Sequence, residues 1–355
     1  MQEDRLAPIP GCSFGREVKW GEGSPGNLRE ALHEHGMLLF RGVPGDSSNA
    51  LADRVRGWFP DMPIETPRTN LPADGGPMTV LGSTRAPDGS FNADYVPAST
   101  AGAPLLDPDG TWNDVLEASL HDWVAAKQEC TFMEWHTDAT FIRWPTSYAA
   151  LYCRQSGASH TGFSNAVDGL AALPKPLRQL AEAAVCVYRP SIIYGNATLG
   201  IPAIGSRTVQ LTAMNSEFTT EVNGSLEAPP HPDDPVVCHR LVQAHPHTGA
   251  RSLRFSLKSL ETLIPDPDHP EARMPPTDGK RAAWQIMRAA TAGSQAYLHP
   301  WQTGDLFIWD ERLTMHCRVP YDADNNVREM WRMVFEKDPA DLVRNERSPQ
   351  LDLAP

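Results

Sequence analysis

The chain has 355 residues, 41% of them hydrophobic, enough to bury a sizeable core. Acidic residues number 44 against 31 Lys and Arg, a formal net charge of -13, which argues against holding nucleic acid or an anionic membrane surface by bulk charge. The 6 cysteines are widely spaced with no C-x-x-C pair, which speaks against a disulfide framework or a structural zinc ribbon and for reduced thiols in a cytoplasmic protein.

The acidic start Met1-Gln-Glu-Asp-Arg lacks the character of a signal peptide, and no apolar run approaches the ~20 residues of a membrane span. Asn27 is expected to cap a helix that begins at Leu28 and ends at Gly36, followed by a short strand at 37–40. A second helix is expected from Asp46 or Ser47 to about Phe59. Residues 60–112 are rich in Pro, Gly, Asp, Ser and Thr and read as loops with one or two short strands, forming a lid. Residues 132–141 read as a strand edge turning into a loop, 147–153 as a strand, and 161–164 as the start of another.

Residues 168–187 read as helical, with a break at Leu173-Pro-Lys-Pro. Residues 190–235 form a second insertion-like region holding short strands such as 209–212. Then come strand and turn at 239–249, a strand at 252–256, a helix at 281–292, and strands at 296–299 and 306–309 around the turn 301–304. The strand 329–335 is the last strong one, and the tail from Pro339 is expected to be polar and peripheral. Together these predict one domain, 1–355, mainly β with helical cover (α+β), with lid or insert segments near 60–130 and 190–235.

Two distant segments carry the chemistry. The first, Trp135-His-Thr-Asp-Ala-Thr-Phe141, holds His136 and Asp138 two positions apart; on an extended strand, both would point to one face. The second, from Gly304 to His316, places another imidazole after an apolar run. Two histidines and one carboxylate are the ligand set of a non-haem Fe(II) oxygenase with open positions. The competing readings are a polar loop pair at 136 and 138, a histidine bonded to backbone at 316, and a catalytic zinc ion on the same three groups. Asp310 is a rival carboxylate, but its neighbours suggest a turn. Arg328 and Arg332 share a strand face, where a guanidinium fork could anchor a dicarboxylate; surface arginines paired with acidic neighbours are the alternative.

These pieces resemble the taurine dioxygenase (TauD/TfdA-like) group of Fe(II)- and 2-oxoglutarate-dependent dioxygenases. The resemblance runs from Ala31-Leu-His-Glu-His-Gly-Met-Leu-Leu-Phe-Arg-Gly-Val43 and the segment 135–141 to Ser159-His-Thr-Gly-Phe-Ser-Asn165. It continues through His245-Pro-His-Thr-Gly-Ala-Arg-Ser-Leu253 to Trp301–Asp310, His316, Arg328 and Arg332. It implies a double-stranded β-helix (jelly roll), iron on His136, Asp138 and His316, and the distal carboxylate of 2-oxoglutarate on Thr161 and Arg328. Arg332 would touch co-substrate or substrate. The sequence departs from the family where His160 replaces an acidic residue and Glu311 an asparagine.

The implied reaction is hydroxylation of an unactivated C–H bond of a small molecule, using Fe(II), 2-oxoglutarate and O2, with ascorbate as reductant in vitro. Asp138 argues against halogenation, since halogenating relatives carry a small residue there. A desaturase, epoxidase or cyclising oxidase on the same core, or a zinc-dependent hydrolase, are the alternatives. No nucleic-acid or membrane partner is expected, and a homo-oligomer is compatible with the sequence. Trp135, Phe141 and Trp144 read either as a wall of the substrate pocket or as core.

Overall fold

The structure is a computed structural model. It describes residues 6–45, 47–62, 76–82, 135–141, 144–188, 236–257, 260–294, 296–318, 326–335 and 338–341. Most of the two expected insert segments, the strand at 209–212 and Cys130 lie outside these residues.

The N-terminal strands β1 (Leu6–Pro8) and β2 (Arg16–Val18) precede helix α1 (Pro25–His35), strand β3 (Met37–Phe40), helix α2 (Ser48–Arg56) and strand β4 (Thr79–Gly82). Next come β5 (Tyr148–Gln155), β6 (His160–Asn165), α3 (Ala166–Ala172), α4 (Lys175–Ala183), β7 (Val185–Tyr188), β8 (Val237–Arg240), β9 (Val242–Ala244), β10 (Arg251–Leu253) and β11 (Leu260–Ile264). The long helix α5 (Pro276–Gly293) leads to β12 (Tyr297–Pro300), β13 (Leu306–Asp310), β14 (Thr314–Arg318) and β15 (Glu329–Phe335).

Seven strands form the main sheet in the order β1-β2-β3-β13-β5-β15-β4, and a smaller sheet is ordered β12-β6-β14. Period-two alternation assigns the faces of the main sheet. Leu306 and Ile308 of β13 pack with Tyr148, Ala150 and Tyr152 of β5 under the apolar faces of α1 and α2, where Leu28, Leu32, Leu51 and Val55 are buried. The intervening Phe307 and Trp309 join Ala149, Leu151, Met330 and Val334 on the other face, and there Phe163 of β6 meets them. The two sheets therefore pack face to face. Arg332 alternates in phase with Met330 and Val334, so it points into the space between the sheets.

On the far side of the small sheet, Met315 and Cys317 of β14 enter a second core with α5 residues Trp284, Met287 and Ala290. Each fully buried large side chain contributes roughly 1.5–3 kcal/mol. Gly162 sits between these layers: a Cβ there would lie 2.6 Å from Cys317 Sγ and 2.9 Å from the Trp135 ring.

Several expectations are corrected. Ser24, not Asn27, caps α1, because its hydroxyl accepts the Asn27 amide; Gly36 ends the helix in the left-handed region at φ 74° as expected. Residues 185–187 are strand rather than helix. Ala184 turns the chain extended, and β7 then pairs with β8 and β11, so sheet pairing overrides the helical spacing. Asp341 is buried, not peripheral, because Arg312 draws it inward. Trp135 and Phe141 belong to the α5-side core.

Candidate active site

The His136 segment is wedged between β14 and residues 255–256. The His136 and His316 amides each donate to the other's carbonyl at 2.9 Å, and the Thr137 amide donates to the Phe255 carbonyl. His136 and Asp138 do not share a continuous strand. The chain turns at 138–141, with Ala139 in the left-handed region at φ 54°, and this turn, not strand alternation, brings the carboxylate round. One donor atom from each of His136, Asp138 and His316 lies within 4.8 Å of the other two. Asp138 Oδ1 stands 3.5 Å from His136 Nε2 and 3.8 Å from His316 Nε2.

Burial alone would raise the Asp138 carboxyl, but the Arg332 guanidinium, together with His136 and His316, holds it well below the usual carboxylate range. Arg332 Nη2 donates to Asp138 Oδ2. One carboxylate oxygen is thus taken by arginine, and the other faces the two imidazoles. Burial, followed by the neighbouring His136, pushes the His316 imidazole down to about 3. Burial and the Asp138 charge push the Glu311 carboxyl up, against the opposing pull of the Asp138 amide, His136 and the Trp309 indole, which favour its ionised form. Two imidazole nitrogens and one carboxylate oxygen converging from three directions suit a divalent cation and leave further positions open.

Arg328 is buried at the edge of β15. Its Nε donates to Ser159 Oγ at 3.0 Å, two residues before Thr161. Thr161 lies on the inward face of β6, in register with His299 and Arg318, and its hydroxyl accepts the Trp301 indole N–H at 2.8 Å. The hydroxyl hydrogen of Thr161 can therefore point to another acceptor. The structure brings His136, Asp138, His316 and Arg332 together and sets Arg328 near the Thr161 strand. Ser159, Trp301 and Glu311 escaped the sequence reading as contributors; the Trp301–Gly304 turn and the departure at 311 were the signals available.

A second cluster, His33, His245 and Asp310, also brings three donor atoms within 4.8 Å. Its chemistry is different. His245 Nδ1 accepts the amides of His247 and Thr248, so its other nitrogen carries the hydrogen and donates to Asp310 Oδ2 at 2.9 Å. Arg312 donates to both oxygens of Asp310, at 2.8 and 2.7 Å, and to Asp338 at 2.7 Å. Both His245 nitrogens are committed, and a guanidinium occupies the carboxylate, so this is a structural ion network. Asp310 serves it and stands apart from the cluster of His136, Asp138 and His316.

Comparison with known proteins identifies the family. The family described as Taurine catabolism dioxygenase TauD, TfdA family matches residues 6–334. An (S)-phenoxypropionate/alpha-ketoglutarate-dioxygenase of Sphingobium herbicidovorans is 27% identical over 210 residues, 59% of this chain and 63% of that protein, so the match spans less than two thirds of that relative. A pentalenolactone F synthase of Streptomyces avermitilis is 24% identical over 333 residues, 89% of each chain. The crystal structure of AAD-2 in complex with Mn(II) and N-oxalylglycine superposes with a TM-score of 0.57 at 18% identity, over 93% of this chain and 97% of that one. A taurine dioxygenase from Burkholderia xenovorans gives a TM-score of 0.56 at 16% identity, over 94% and 91%. At such identities the structural likeness shows the fold. The match to the family, spanning nearly the whole chain, shows that this protein belongs to the Taurine catabolism dioxygenase TauD, TfdA family.

Proposed function

We propose that the protein is an Fe(II)- and 2-oxoglutarate-dependent dioxygenase that hydroxylates an unactivated C–H bond of a small molecule on a double-stranded β-helix scaffold. The observation that carries this reading is the convergence of His136, Asp138 and His316 on one point between the sheets of a TauD/TfdA family member. When bound, the iron and 2-oxoglutarate supply the oxidising chemistry, in which O2 and 2-oxoglutarate yield succinate and CO2 as one oxygen atom enters the substrate.

The residues of the chain supply placement. His136, Asp138 and His316 would hold the metal. Arg332 keeps Asp138 ionised and turns a single oxygen toward the histidines. Arg328, its Nε edge fixed by Ser159, would present its guanidinium to the distal carboxylate of 2-oxoglutarate. Thr161, already accepting from Trp301, would donate its hydroxyl hydrogen to that carboxylate. Arg332, inward-facing beside the donor set, would also meet an anionic group of substrate or co-substrate.

Product analysis under 18O2 tests the reaction type. Hydroxylation puts one labelled atom in succinate and one in the product. A desaturase or cyclising oxidase leaves the organic product unlabelled, and turnover without oxygen or succinate would establish the zinc-hydrolase alternative.

A further inference from the structure

Glu311 follows β13 and is fully buried, yet it sits where the main sheet meets the candidate metal donors. Its Oε1 accepts the Trp309 indole N–H at 2.8 Å, and its Oε2 accepts the Asp138 amide at 2.9 Å. The same Oε2 lies 3.8 Å from His316 Nδ1. Among the described residues, that nitrogen is buried with no hydrogen-bond partner. A buried polar atom left so carries the full desolvation penalty, which requires a reason.

We infer that Glu311 is a positioning residue that orients two of the three metal-holding groups, fixing the Asp138 backbone and serving as acceptor for the Nδ1–H of His316. The inference rests on the metal reading above. An imidazole that gives its Nε2 lone pair to a metal must carry its hydrogen on Nδ1, and such a hydrogen is ordinarily received by a carboxylate, a carbonyl or water. Glu311 Oε2, 3.8 Å from His316 Nδ1, is a carboxylate oxygen placed beside it. Its own anchoring is firm. The indole that fixes one oxygen comes from β13, paired on both sides within the main sheet, so the other oxygen is delivered to the metal donors by a rigid element. An asparagine at this position would be one methylene too short to hold the Trp309 indole and the Asp138 amide together.

The test compares Mn(II) binding, read from the loss of the free-ion EPR signal, in the wild-type chain and in Glu311→Gln. Glutamine keeps the shape but turns one accepting oxygen into a donor that opposes an existing N–H. We expect the dissociation constant to rise about ten- to hundredfold, with the melting temperature measured without added metal little changed. An affinity within twofold of wild type would overturn the inference. Should the glutamine variant fail to fold, the histidine 15N spectrum of the wild-type Zn(II) form decides. A slowly exchanging, downfield Nδ1–H resonance that disappears in His316→Gln supports the role, and its absence refutes it. His316→Ala separates the two levels. Binding lost in His316→Ala but unaffected in Glu311→Gln sinks the Glu311 role alone. Binding unaffected by both sinks the metal reading and the inference with it.

Discussion

The amides of His136 and His316 donate to each other's carbonyls, both at 2.9 Å, so the backbone already sets the two imidazoles side by side with ring centroids 4.3 Å apart. Either side chain can therefore be removed while the bridge that orders the site remains. His136→Ala and His316→Ala should each abolish 2-oxoglutarate turnover, by about 1000-fold or more, while the metal-free melting temperature stays within a few degrees. Steady-state succinate assays and calorimetry on the same preparations check this; loss of fold in both variants would contradict it.

Arg328 meets Ser159 through Nε, an interaction that lysine cannot reproduce. Arg328→Lys should raise the KM for 2-oxoglutarate about 10- to 100-fold, in keeping with the roughly 1.5–3 kcal/mol of a charge-assisted hydrogen bond. The KM for the primary substrate should move much less. A variant that changed both equally would place Arg328 elsewhere in the mechanism.

Gly162 is the tight point between the layers. Gly162→Ala drives a methyl group into Cys317 Sγ and the rigid Trp135 ring, a mismatch that should cost about 1–3 kcal/mol. The double variant Gly162→Ala, Cys317→Ala should regain part of this loss. Urea unfolding midpoints of wild type, Gly162→Ala, Cys317→Ala and the double variant test the coupling, and strict additivity would show that the contact does not matter.

Arg312 is buried among Asp310, Asp338 and Asp341 and lies over the Tyr148 ring at 4.5 Å. Removing the fork strands buried carboxylates, so Arg312→Met should destabilise the chain by about 3–5 kcal/mol, measured by denaturant unfolding. A cost below 1 kcal/mol would show that the network is well solvated.

Stability should also depend on pH through the neighbouring histidine. Burial pushes the His33 imidazole down to about 3 from its ordinary 6.5, against the opposing pull of Asp310; Arg312, His247 and His245 push the same way as burial, and Tyr148 holds its Nε2. The unfolded chain therefore binds a proton that the folded chain refuses. The His33 contribution is complete above about pH 6.5 and lost as pH falls toward 3. Asp338, burial opposed by Arg312, His247 and its own hydrogen bonds, is held down to about 2 from 3.8, so its contribution is lost only below pH 3.8. The urea midpoint of wild type should fall between pH 7 and pH 5, and that of His33→Gln should fall less. Parallel curves would rule out His33 as the source.

Local pattern made much of this legible. The apolar run Leu306–Trp309 announced a strand, which is buried along its length, and H-x-D with a distant histidine pointed to residues that the fold brings together. What stayed hidden was non-local. Residues 185–187 continue a helical spacing but are claimed by pairing with strands that begin far along the chain, at Val237 and Leu260. Thr314–Arg318 mixes polar and apolar residues and lacks the apolar run that marked the other strands. The roles of Ser159, Trp301 and Glu311 depend on partners up to 173 residues away, which spacing cannot reveal.

On the proposed reading, His136, Asp138 and His316 hold a metal that couples oxygen to 2-oxoglutarate. The most direct measurement is oxygen-dependent formation of succinate from 2-oxoglutarate by the purified protein, with Fe(II) and ascorbate added, beside His316→Ala. Succinate formed by the wild-type chain and lost in the variant is the predicted result. Equal succinate from both proteins, or none from the wild-type chain either alone or across a panel of small-molecule substrates, would contradict it.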